Sequence, residues 1–273
     1  RLNLINIFPY IKEVNESDIE GWSFRSSAIL GHPLNNALCV STIMGFILIS
    51  QIRLNLKLFY LILGFISLLC FNARAAILTW ILLASIYLIN LIRSPNTKKR
   101  VVKTLILFVI TIIYLMYNLI VEHGFGGRIV HNDIYDGSAQ SRVDVYSVFS
   151  YVSNFDLWYG NPSNYIPLMK KLHAGGIENS YIVLILNYGI LMFLIIMLFY
   201  YYLIRRLIKH YTLYDNFIIL TSFLVVGSAN NALSGSIPWG FLILCFHTFS
   251  ISNEKTLVKS LEQNYNKENV EFA

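Results

Sequence analysis

The 37 residues from 56 to 92 form one predominantly apolar run, interrupted in the middle by Asn72-Ala73-Arg74. As a single helix the run would be about 55 Å long at 1.5 Å per residue, nearly twice the about 30 Å of a bilayer's hydrocarbon core. It must therefore fold back on itself at residues 72–74, as two membrane-length helices. Apolar stretches of comparable length recur at 34–52, 104–121, 179–204, 217–233 and 237–251, so with 56–71 and 75–92 the chain offers seven candidate spans. The last is short, with Pro238 in its first turn, where proline is tolerated. Composition agrees: 56% of the 273 residues are hydrophobic, 13% are charged, and the mean hydropathy is +0.57. The expected fold is all-α, a polytopic transmembrane protein.

The basic residues orient it. Of 21 Lys and Arg, 13 fall in one alternate set of connections, at residues 53–57, 93–103, 205–209 and in the tail, against five acidic residues; the other set holds eight against ten. The basic-rich set is cytoplasmic by the positive-inside rule. This gives an extracytoplasmic segment 1–33, four helices in 34–121, a large extracytoplasmic loop 122–178, three helices in 179–251 and a cytoplasmic tail 252–273. The chain opens on Arg1 without a signal-peptide pattern, and its external start leads us to expect an odd number of upstream spans. The net charge of +6 is accounted for by these loops, and no aromatic-interleaved basic patch points to nucleic acid. Cys39, Cys70 and Cys245 lie in apolar runs, with neither disulfide nor metal-ligand spacing. The histidines also lack ligand spacing, and no serine sits in G-x-S-x-G, so metal hydrolysis and serine acyl transfer find no support.

A 57-residue loop in such a chain is long enough to be functional. The run 143–155 reads as one or two short helices on the membrane surface, and Gly124 to Gly127 as a flexible turn. Arg25, His32, Arg74, Arg128, Arg142 and Glu178 all fall on the external side. A lone interfacial arginine often only snorkels. Arg74, however, stands in a tight turn between two apolar runs, where an ionisable group is a functional candidate. Several arginines near one membrane face suit a phosphate or pyrophosphate headgroup, which the guanidinium grips through a two-pronged fork. There is no D-x-D metal site, so arginines would themselves stabilise a departing pyrophosphate.

These segments resemble the superfamily of O-antigen ligases and O-antigen or capsule repeat-unit polymerases of bacterial envelopes. Arg25-Ser-Ser-Ala-Ile-Leu-Gly-His-Pro-Leu-Asn-Asn-Ala37 resembles the family's entry to a span, with Leu34-Asn35 where Asn usually follows proline. Asn72-Ala73-Arg74-Ala75 resembles its Ser-Arg-x-Ala turn. Ser141-Arg142, Tyr146 and Trp158-Tyr159-Gly160-Asn161-Pro162 are similar to its loop pattern, and Glu178-Asn179, nine residues before Gly189, to its ligase His-Asn pair, with Glu178 at the histidine position. The resemblance implies a GT-C-like fold with the large loop over a lipid-accessible cavity. It also implies inverting transfer of glycan from an undecaprenyl-pyrophosphate-linked oligosaccharide, without a cofactor or metal. Such a transfer needs one base and no acid, since pyrophosphate leaves unprotonated. The expected roles are Glu178 as catalytic base, Arg74, Arg142, Arg25 and Arg128 on the pyrophosphate, and His32, Asn179 and Trp158 on substrate. We read the activity as polymerisation of repeat units at the outer face of the bacterial cytoplasmic membrane. The alternatives are ligation of polymer to a lipid anchor, a lipid-linked saccharide flippase, or a non-catalytic scaffold. Expected partners are the lipid-linked oligosaccharide, membrane lipid and other envelope polysaccharide assembly proteins.

Overall fold

The interruption at residues 72–74 does fold as a hairpin. A computed structural model describes residues 30, 32–93, 99–118, 145–171, 177 and 179–249, of which 88% are helical, with no strand among them. Helices α1 (Pro33–Ile49), α2 (Leu54–Cys70), α3 (Arg74–Arg93) and α4 (Lys99–Met116) come first. After them the loop supplies a 3-10 turn (Val145–Ser150), α5 (Asn154–Tyr159), a second turn (Pro162–Asn164) and α6 (Tyr165–Lys171). Then come α7 (Ser180–Leu207), α8 (Leu213–Ser228) and α9 (Ser236–Phe249). Each of the seven apolar stretches thus contributes a helix among the described residues. Two of the helical segments, Arg74–Arg93 and Ser180–His210, are long and apolar enough to cross a membrane.

The chain reverses from α1 to α2 to α3, and again from α7 to α8 to α9. Near the C-terminal ends of α1 and α9, Phe46 packs on Phe246 and Phe249 at ring centroid distances of 4.9 and 5.1 Å, so these two helices run the same way. At the other end, the starts of α1 and α3 meet the end of α8 around one cleft. The start of α7 joins them through the Ser180 hydroxyl, which donates to the Asn230 carbonyl at 2.8 Å. Buried Phe46, Phe65 and Phe223 centre the core between α1, α2, α3, α8 and α9. Trp239 stacks on Tyr200 at 3.8 Å and so pins α9 to α7.

Three features depart from the sequence reading. Lys57, counted with the cytoplasmic loops, lies within α2 and is buried; its ammonium donates to the Leu48 carbonyl at 2.8 Å and sits 4.9 Å from the Tyr87 ring centre. There it satisfies a carbonyl in the last turn of α1, where helix carbonyls lack intrahelical donors. The second departure is in α8, which starts at Leu213 and stops at Ser228 instead of running through Leu233. Its middle contains a π segment, Thr221–Val225, and the Ser41 hydroxyl of α1 donates to the Ser222 carbonyl there at 3.0 Å. The third is α7, read as one unbroken span, which is interrupted at Gly189 (φ 76°, ψ 166°).

Candidate functional site

The turn between α2 and α3 is made by Asn72, whose φ of 52° lies in the left-handed region that asparagine tolerates better than most residues. Its side chain is 2% exposed, and its Oδ1 is buried without a hydrogen-bond partner. Arg74 follows as the first residue of α3. A helix's N-terminal end carries partial positive charge and disfavours a cation by about 0.3–1 kcal/mol, so helix stability does not account for an arginine at this position. Asn72 and Arg74 line a cleft with Leu34 and Ala37 of α1 and Ala229 and Asn230 beyond α8.

The facing wall is tied together by hydrogen bonds. The Asn230 carbonyl accepts from both the Ser180 hydroxyl at 2.8 Å and the Ser180 amide at 3.1 Å. That hydroxyl in turn accepts from the Leu233 amide at 3.0 Å. The α7 N-cap is Asn179, whose Oδ1 accepts from the amides of Tyr181 and Ile182 at 3.0 and 3.2 Å and whose Nδ2 donates to the Tyr146 hydroxyl at 3.4 Å. The cap position of α7 thus belongs to Asn179, expected on substrate. At α1 the cap is His32, whose Nδ1 accepts from the Leu34 amide at 3.3 Å while its carbonyl accepts from Asn36. Three helix N-termini, those of α1, α3 and α7, therefore gather at one end of the molecule. Their dipoles sum to a field that favours anions.

Of the residues expected at the site, His32, Arg74 and Asn179 are brought to this one end. His32 and Asn179 have capping as a sufficient structural role there. Trp158 stands apart: it is half exposed on α5, and its backbone lies against α7 at Gly189. Glu178, Arg25, Arg128 and Arg142 lie outside the described residues. Among those residues there is no cluster of three or more His, Cys, Asp or Glu side chains able to hold a metal.

The loop module is fixed to α7 in two ways. Val145, Val148, Leu168 and Ile177 bury a small core against Ile182, Val183 and Leu186. Further along, Gly160 (φ 79°) crosses the Gly189 break so closely that a Cβ on Gly160 would lie 2.6 Å from the Gly189 amide nitrogen. The Asn161 amide donates to the Leu186 carbonyl at 2.9 Å at the same crossing. Two segments that the sequence singled out, Trp158 to Pro162 and Gly189, thus touch through their backbones. Asp156 holds this crossing in shape and escaped the sequence reading. Its carboxylate accepts from Ser153 Oγ at 2.8 Å, Asn164 Nδ2 at 3.0 Å and Asn161 Nδ2 at 3.1 Å. These donors, Ser153 foremost, hold its carboxyl below the usual aspartate range. The signal was present as Ser153-x-x-Asp156, an N-terminal capping pattern. Asn72 was read only as part of the turn, and the Ser180–Asn230 link went unread.

No protein-family model matches the chain, and neither a curated protein nor a solved structure matches it.

Proposed function

We propose that this chain is a multi-pass protein of a bacterial cytoplasmic membrane that polymerises undecaprenyl-pyrophosphate-linked oligosaccharide repeat units at the outer face. One observation supports this reading above the others. Arg74 opens α3 at a cleft shared with the start of α1, to whose Asn230 the start of α7 is tied by Ser180, beside a buried Asn72 whose Oδ1 has no partner. A charged arginine and oriented helix dipoles at one spot favour a phosphate group. Seven apolar helices among the described residues, with α1 to α3 and α7 to α9 reversing in turn, support the multi-pass arrangement, with the basic loops inside.

In the reaction, the carboxylate of Glu178, which precedes the α7 cap in sequence, takes the proton of the acceptor hydroxyl. The acceptor oxygen attacks the anomeric carbon, the bond from that carbon to the pyrophosphate oxygen breaks, and the electron pair leaves with the pyrophosphate. Arg74, assisted by Arg142, Arg25 and Arg128, stabilises the charge that builds there. Ligation to a lipid anchor would use the same chemistry with a different acceptor. A flippase is the reading that the broken α7 favours, because transporters build sites at interrupted helices. Here, however, the α5 backbone occupies the break. Deleting the gene and resolving surface polysaccharide on a gel tests the proposal. It expects loss of polymer with a single repeat unit retained; unlinked full-length polymer means a ligase, and an unchanged pattern refutes both.

A further inference from the structure

The loop module carries a row of bare aromatic side chains that the cleft does not use. On α5, Phe155 is 70% exposed and Tyr159 62%, and their ring centroids lie 4.9 Å apart, so residues four apart present one face. Trp158 is half exposed on the same short helix, and Ile166 of α6 is 67% exposed. Four large apolar side chains exposed on so short a module mark a contact site rather than chance exposure.

The level of this face along the molecule can be read from α7. That helix ends on Arg205 and Arg206, which mark its cytoplasmic boundary under the multi-pass reading. From there about 20 helical residues, at 1.5 Å each, cross the about 30 Å of hydrocarbon and reach the level of residue 185. The module docks at this level, through Asn161 on the Leu186 carbonyl and Gly160 on Gly189. At the same level of α7, Tyr188, Leu191 and Met192 are exposed as well. Lys170 and Lys171 close α6, and the Lys171 ammonium sits 5.4 Å from the Tyr151 ring centre. Aromatic rings at the edge of the hydrocarbon, bordered by lysines, match an anionic lipid interface.

We infer that Phe155, Trp158, Tyr159 and Ile166 insert into the headgroup boundary of the outer leaflet, making the module a membrane anchor that holds the loop beside the cleft. This inference rests on the multi-pass reading. Because Tyr146 of the same module meets the α7 cap at Asn179, the anchor fixes the loop's height relative to the start of α7. It also gives Trp158 a lipid contact in place of a sugar contact.

The test uses the full chain with Cys39, Cys70 and Cys245 replaced by alanine and single cysteines placed in turn at Phe155, Tyr159, Ser163 and Leu198, all exposed positions. Each carries an environment-sensitive fluorophore in vesicles of phosphatidylethanolamine and phosphatidylglycerol. Labels at 155 and 159 are expected to emit blue-shifted from the label at 163, to lose fluorescence to a shallow doxyl lipid and to be shielded from aqueous iodide. If the label at 198 responds to doxyl lipid while those at 155 and 159 respond to iodide, the anchor is overturned and the multi-pass reading stands. Iodide quenching at 198 as well overturns both. If 155 and 159 become shielded only when oligosaccharide is added, the face is a sugar platform, and the anchor is again refuted.

Discussion

The phosphate reading turns on Arg74, because its charge stands at the end of a helix that disfavours it. Lysine would keep the charge but lose the planar fork. Arg74→Lys should therefore shorten the polymer and Arg74→Ala abolish it at normal protein level, as read on a polysaccharide gel. Near-normal polymer from Arg74→Ala would leave the side chain a merely interfacial role. Ser180 makes a different kind of claim, about assembly. Its buried hydroxyl bridges the Asn230 carbonyl and the Leu233 amide, so Ser180→Ala strands a buried donor and should cost about 1–3 kcal/mol. A lowered unfolding midpoint in detergent is the expected result, and an unchanged one counts against the bridge. Arg74 was legible in the sequence because a charge interrupting an apolar run is itself the signal. The Ser180–Asn230 link was not, since it joins backbone and side chain 50 residues apart and neither residue is unusual in its own neighbourhood.

The helices themselves were legible, because uninterrupted apolar length is all that a buried or lipid-facing helix requires. Their irregularities were not. Gly189 sits in an apolar run that reads as one helix, and only the Gly160 crossing shows why glycine is there: both adopt positive φ, and side chains on either would strike backbone. Gly189→Ala should therefore destabilise the docked loop by roughly 1–3 kcal/mol. Limited proteolysis reads this as faster cleavage within residues 145–171, and unchanged cleavage would argue that the crossing is dispensable. The Asp156 hub belongs to the same element. Its capping signature was visible, but the two asparagines that complete it were not, because the turn at Pro162 brings them round to the carboxylate.

For the whole molecule, the proposed multi-pass arrangement takes the 13-to-8 division of basic residues to put the loop outside and the α3–α4 connection inside. A cysteine at Ser163 should react with an impermeant reagent in intact cells while one at Thr97 is protected; the reverse pattern would invert the site's location. The starts of α1, α3 and α7 lie at one end of the molecule, α1 and α3 at the cleft itself and α7 through the Ser180–Asn230 link. Sequence periodicity could locate that side, but not the cleft, which depends on how α8 ends against α3. Glycan transfer by the purified chain is the most direct test. In vesicles supplied with undecaprenyl-pyrophosphate-linked repeat units, the wild type should form elongated lipid-linked products and release undecaprenyl pyrophosphate. Glu178→Gln and Arg74→Ala, inserted at normal levels, should form none. Failure of the wild type to elongate, or undiminished elongation by both variants, would contradict the account.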